Sequence, residues 1–274
     1  MLHRRAFLGA AASAALLPAA GKKIPVGLEL YSVREELAKD LFGTVKAVAK
    51  MGYEGVEFYS PYTAWKPEYA KEVRKLLDDL NIKCLSTHNG NQAFTDANLN
   101  RVAELNTILG SKLMIMASAG RVTTLDGWKG VAATLTKAAE TTKATGIRVG
   151  FHNHKVEFVP LEGEMPMVVL ARNTPKQVVL QLDIGTCIEA GLDPVKWIKD
   201  HPGRIVSVHC KDYAPPPGNG FTAGFGEGAA KWKEIFAAAE KKGGVESYLI
   251  EWEGKERPME TVARCLENYR KLKG

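Results

Sequence analysis

The densest chemistry in the sequence lies in GFHNHKVEF at 150–158, where His152 and His154 stand one residue apart and Glu157 follows three further on. Imidazoles of this kind can ligate a metal or move protons near neutral pH, and a nearby carboxyl can act as acid or base. Other groups able to do the same work stand far apart along the chain. They are Glu29, Glu57, His88, Asp183, His209 with Lys211, and Glu251. Whether they form one site depends on the elements that carry them.

Those elements repeat. Short β-branched or apolar runs occupy 25–31, 54–59, 82–88, 112–118, 148–154, 178–184, 204–210 and 247–252. Between them lie helix-period stretches, such as Tyr69, Val73, Leu76, Leu77 and Leu80, or Met259, Val262, Leu266 and Tyr269. Eight β/α units at a spacing of roughly thirty residues, with no linker and no low-complexity tract, predict an α/β chain folded as a single (β/α)8 TIM barrel. A doubly wound sheet would want a glycine fingerprint after the first strand, where the chain has SVREEL instead.

In a barrel, chemistry gathers at the C-terminal strand ends. The isolated groups above all fall there, and the fourth strand contributes Met116 and Ser118. Strand alternation puts His152 with His154, Gln181 with Asp183, and His209 with Lys211 on shared faces. Several carboxylates and imidazoles at one rim are costly to bury unless they share a cation. One residue from each of strands five to eight, His152, Asp183, His209 and Glu251, makes a set of two nitrogens and two carboxylates. That donor set favours Mn, Co, Zn or Fe over Mg for the one divalent cation expected. A structural zinc site would instead be written in closely spaced cysteines.

The rest of the composition narrows the setting. The +6 formal charge falls to +4 if Arg4 and Arg5 leave with a leader, and the remaining basic residues are interspersed with acids, which excludes a nucleic-acid stripe. Residues 1–21 carry that arginine pair ahead of a short apolar run ending in small residues, and the RRAFL string reads as a twin-arginine export signal preceding a barrel over 22–274. This predicts an exported, periplasmic protein with no membrane span after leader removal. Cys84, Cys187, Cys210 and Cys265 form no CxxC pair and are expected to be buried thiols. His3 falls in the leader, and His201 before Pro202 is expected in an exposed loop. The glycine-rich FTAGFGEG at 221–228 is either a phosphate or sugar cradle at a helix N-terminus or a flexible loop.

The order GLELYSVR, GVEFY, STH, HNH, QLDIG, VHCKD, a GEG before a helix, and YLIEWE resembles the sugar isomerase/epimerase superfamily with the xylose-isomerase-like barrel, over essentially the whole mature chain. The resemblance implies a divalent metal held at positions 152, 183, 209 and 251. Many members carry glutamate at the strand-five position and pair it with the strand-eight glutamate. This chain has His152 there, more like the branch with inosose dehydratases and exported sugar-modifying proteins. The activity implied is isomerisation or epimerisation of a free sugar or keto-sugar, by proton abstraction α to a carbonyl through a metal-stabilised enediolate. Glu251 is then the base and His152 mainly a ligand. His154 or Glu157 supplies the second acid/base group, and His88, Glu57, Glu29 and Lys211 bind the carbohydrate. A lyase or dehydratase on a keto-sugar or 3-keto-glycoside is the alternative, and a non-catalytic sugar-binding module a lesser one. Barrel-type apurinic endonucleases share the superfamily but need a histidine three residues after the strand-six aspartate. This chain has Thr186 there, and His209 is its last histidine. The partner is therefore a small carbohydrate rather than nucleic acid, with a homo-oligomer left open.

Overall fold

The structure is a computed structural model and describes residues 23–273. The leader expected over 1–21, with His3, Arg4 and Arg5, lies outside the described residues. The chain runs β1 (Val26–Glu29), α1 (Arg34–Lys39), α2 (Leu41–Met51), β2 (Gly55–Phe58), α3 (Pro67–Asp79), β3 (Lys83–Gly90), α4 (Leu99–Leu109), β4 (Leu113–Ser118) and α5 (Leu125–Thr142). It continues with β5 (Arg148–His152), α6 (Pro166–Asn173), β6 (Val179–Asp183), α7 (Ile184–Glu189), α8 (Pro194–Asp200), β7 (Ser207–Cys210), α9 (Trp232–Ala238), β8 (Ser247–Ile250) and α10 (Pro258–Lys273). Every neighbouring pair of strands is parallel, and β1 closes on β8 through Leu28↔Ile250, so the sheet is a closed eight-stranded barrel. The fold is the single (β/α)8 barrel that the strand count predicts.

Alternation along the strands creates two apolar regions. Outward residues such as Leu28, Val56, Phe151, Leu180, Val208 and Ile250 pack under the helices against Val45, Val73, Leu135, Ile198 and Val262. A separate small cluster of Leu113, Ile115, Val179 and Val206 fills the barrel interior. Three strand glycines make room there. A Cβ at Gly27 or Gly55 would come within 2.7 Å of the Leu85 side chain, and one at Gly150 would meet Ile115 Cδ1 at 2.8 Å. Each of these glycines lies two residues before a polar group, Glu29, Glu57 or His152, and the pleat therefore aims all three into the same interior, one layer higher.

His201 is not an exposed loop residue; it caps the C-terminus of α8, half-buried, with its ring stacked on Trp197 at 4.1 Å and its Nδ1–H donating to the Trp197 carbonyl at 2.8 Å. The four cysteines are free and buried.

Candidate metal centre and active site

The strand ends bring His152, Asp183, His209 and Glu251 together: one ligand atom from each lies within 4.8 Å of the others, and all four residues are buried. Asp183 ends β6 and is also the N-cap of α7, so its Oδ1 accepts the Thr186 N–H at 2.8 Å. Asn153 braces the same turn, accepting the Asp183 N–H at 3.0 Å and donating to Thr186 Oγ1 at 2.9 Å. Asp183 Oδ2 is left buried without a hydrogen-bond partner. It stands 3.8 Å from His152 Nε2, too far for a hydrogen bond. Two ligand atoms bound to one cation at about 2.0–2.2 Å each stand roughly 3 to 4 Å apart, so this pair is spaced for a shared ion. The arrangement fits a divalent cation.

The charges agree. Burial, then the imidazoles of His88, His209 and His154 and the ammonium of Lys211, push His152 well below the usual histidine range, leaving it neutral. Burial opposes ionisation of Glu251, but Lys211 and His209 hold its carboxyl below the usual range. His209 meets carboxylates on both sides, Glu57 Oε1 at 2.7 Å from Nε2 and Glu251 Oε2 at 2.6 Å from Nδ1. Burial would lower it, yet these carboxylates raise it well above the usual range. Lys211, just past β7, is also buried, and its Nζ lies 3.4 Å from Glu251, 3.5 Å from Asp183 and 2.6 Å from Glu253. Its place among three carboxylates, with Phe221 4.6 Å away under the ammonium, makes it a charge partner as much as a hydroxyl binder.

The β1–β3 side is built differently. A shift of register opposite Leu85 pairs Glu57 with Ser86, and Ser86 Oγ donates to the Glu57 carboxylate. The Gln181 amide donates to Glu57 Oε2 at 2.9 Å and to Ser207 Oγ at 3.0 Å. Glu57 is 0% exposed, and its oxygens are occupied by Ser86, Gln181, His209 and His88. It was expected to bind a substrate hydroxyl; a carboxylate so enclosed has no face to offer one, and it holds the floor instead. His88 lies between the two sides, stacked on His209 at 4.8 Å, and converges with His152 and His209 as a second possible ligand group. Glu29 lies 3.8 Å from His88 Nδ1, with Oε2 buried and unpartnered. Burial first and the Glu57 carboxylate second raise its carboxyl well above the usual range.

His154 and Glu157 do not join this group as a strand pair. β5 ends at His152, Asn153 turns toward α7, and His154 is exposed at the mouth with its ring 5.0 Å from that of His152. Glu157 is buried, and its carboxylate accepts the His154 N–H at 2.7 Å, closing a short turn over Lys155–Phe158. That bond commits one Glu157 oxygen to the turn. The glycine-rich 221–228 segment is not an open anion cradle, because protein carboxylates already take donors in it and beside it. Asp212 accepts from Gly226 N–H at 2.9 Å and Trp232 Nε1–H at 2.8 Å, and Glu227 accepts from Gly224 N–H at 2.9 Å. Sequence reasoning missed Gln181, Ser86, Ser207 and Asn153 as members of the site. The one signal was the face that Gln181 shares with Asp183.

Residues 45–269 match the model of the family described as Xylose isomerase-like TIM barrel. A sugar phosphate isomerase/epimerase from Parabacteroides distasonis superposes with a TM-score of 0.75, covering 94% of this chain and 97% of that one at 24% identity. A probable 3-DHS dehydratase involved in petrobactin synthesis in Bacillus anthracis superposes at 0.70, covering 90% and 99% at 12% identity. At these identities the likeness is one of fold. A rhizopine catabolism protein of Rhizobium meliloti is 34% identical over 85 residues, which are 31% of this chain and 26% of that protein. The match thus spans about a quarter of that relative's length.

Proposed function

This chain belongs to the xylose isomerase-like TIM barrel family, and from that premise we propose that it is a divalent-cation-dependent isomerase or epimerase of a free sugar or keto-sugar. The observation that carries the reading is the convergence of His152, Asp183, His209 and Glu251 around a buried Asp183 oxygen that makes no hydrogen bond and has only the Lys211 ammonium at 3.5 Å. A cation bound there would polarise a substrate carbonyl and lower the barrier to removing the adjacent proton. Mn, Co, Zn or Fe suits two nitrogens and two carboxylates better than Mg.

The chain's own residues do the rest. Glu251, held ionised beside Lys211, takes the proton from the carbon next to the carbonyl. His154, exposed at the mouth against His152, exchanges protons with the far side of the substrate. Glu29 and His88 face the same space from β1 and β3, and Lys211 keeps the carboxylates charged. The arginine pair and apolar run before the barrel lead us to place the reaction in the periplasm, on an unphosphorylated sugar.

A second reading rests on His152. Strand five contributes a neutral imidazole, so Glu251 has no carboxylate twin from that strand. An elimination, with Glu251 as base and His154 protonating a departing hydroxyl or aglycone, needs no such twin. Metal analysis of the purified protein, then incubation with sugars and 3-keto-glycosides in D₂O, separates the readings. Deuterium uptake into a sugar of otherwise unchanged composition supports the isomerase or epimerase. Loss of water or release of an aglycone moves the protein to the lyases, and binding without cation dependence or turnover removes both.

A further inference from the structure

We propose that Glu57 and Gln181 are positioning residues that set the tautomers of the rim histidines, presenting Nε2 of His152 and Nδ1 of His209 to the cation. The inference rests on the cation reading above and goes beyond it, because it concerns two residues that would not touch the ion.

The tautomers follow from which groups can donate. Glu57 is fully buried and its carboxylate only accepts. Gln181, also 0% exposed, has one amide atom 2.9 Å from Glu57 Oε2 and 3.0 Å from Ser207 Oγ. An amide oxygen facing that carboxylate would be repelled, so the amide nitrogen must face it and the amide oxygen must face the other way. The oxygen then lies 2.6 Å from His88 Nε2 and 3.0 Å from His152 Nδ1. It too can only accept, so both of these ring nitrogens carry hydrogen. With the hydrogen on Nδ1, Nε2 is the His152 nitrogen left to offer a lone pair, and it is the atom 3.8 Å from the Asp183 oxygen that makes no hydrogen bond.

Glu57 acts on His209 directly. Its Oε1 takes the Nε2–H at 2.7 Å, and Nδ1, which in the metal-free protein donates its own hydrogen to Glu251 Oε2 at 2.6 Å, is the nitrogen that would exchange that hydrogen for a cation in the ligand group. A carboxylate that orients a ligating histidine from behind is a recurring device of metal sites, and its loss typically costs about 10–100-fold in metal affinity. Here one carboxylate reaches three imidazoles, two of them through a single amide.

The test reads the tautomers themselves. Long-range ¹H–¹⁵N correlation spectra of the full-length protein labelled with ¹⁵N-histidine, free of metal and then with Zn²⁺, should show His152 and His88 protonated at Nδ1 and Nε2 respectively. With Zn²⁺ bound, His209 should keep its hydrogen on Nε2. An Nε2–H tautomer at His152 in the unmodified protein overturns the proposal, whether or not zinc binds. Unchanged spectra on adding Zn²⁺, with the tautomers as stated, would remove the cation reading and leave the positioning intact. Glu57→Gln and Gln181→Met, checked for folding by near-ultraviolet circular dichroism, should leave His152 a mixture of tautomers and weaken Zn²⁺ binding in calorimetry by about 10–100-fold. Single unchanged tautomers in both folded variants would also overturn it; if neither folds, the unmodified spectrum decides.

Discussion

The two sides of the rim are made of the same residue types and behave differently. On the β1–β3 side, each Glu57 oxygen is met by donors from Ser86, Gln181, His209 or His88. On the β5–β8 side, four residues able to ligate converge, and an Asp183 oxygen has no hydrogen bond, only the Lys211 ammonium at 3.5 Å. A buried carboxylate costs several kcal/mol unless it is paired or hydrogen-bonded. The first side meets that cost from within the protein. The second meets it in part through Lys211 and leaves room for a ligand. What separates a positioning carboxylate from a ligating one is therefore not its residue type or height on the strand but whether its lone pairs are already taken.

The largest effect should come from the unsaturated side. Glu251→Gln keeps the size and shape of the side chain while removing the base. Turnover should fall by about 10³-fold or more, within the range for positioned acid–base groups, in a protein that near-ultraviolet circular dichroism shows to be folded. Full activity in that variant would take Glu251 out of the chemistry and make the two sides equally structural.

Next is Lys211→Met, which withdraws the buried ammonium from Asp183, Glu251 and Glu253. Breaking a buried ion pair from one partner strands the other charges, and the metal-free protein should lose about 3 kcal/mol in denaturant titrations. Added Mn²⁺ should restore part of this, since a bound cation supplies the missing charge. A loss that Mn²⁺ does not touch would mean that Lys211 serves packing against Phe221 rather than the carboxylates.

Chelation should follow in size. A cation at 100 times its dissociation constant stabilises by about 2.7 kcal/mol, which for a chain of this length is roughly 5 to 10 °C in melting temperature. EDTA should remove that increment from the unmodified protein and from Glu29→Gln, but not from Asp183→Asn, which has already lost it. An equal response in all three would place the cation elsewhere.

This difference between the sides also marks where the sequence stopped being legible. The eight strands, the closed barrel and the ring of polar strand ends followed from apolar periodicity, because alternation fixes which face a residue takes. Alternation does not say where a strand stops. His154 leaves the face of His152 because the chain turns at Asn153 to brace Thr186, and Glu157 is drawn off to the His154 N–H. Nor does it say which polar groups satisfy one another. Glu57 and Gln181 read as a hydroxyl binder and an unremarked neighbour of Asp183, yet together they hold three imidazoles. Likewise the glycines at 221–228 left a phosphate or sugar cradle open as one of two readings, and Asp212, well upstream in the chain, fills it.

The smallest prediction concerns the one atom that breaks the contrast, Glu29 Oε2, which is on the saturated side and has no partner. Burial and the Glu57 carboxylate raise the folded pKa of Glu29 above its unfolded value. Above the unfolded value of about 4.3, the unfolded chain releases a proton that the folded chain keeps. Stability is therefore lost as pH rises from there toward the folded pKa. Glu29→Gln has no proton to release. Its stability relative to the unmodified protein should climb from pH 5 upward, measured by denaturant titration in metal-free buffer, with little of this pH-dependent difference left at pH 4. If the climb is seen, the proton occupies the place on this side that the cation takes on the other. A difference flat in pH would show that Glu29 is ionised and unpaired, and the β1–β3 side would then be as open to a cation as its opposite.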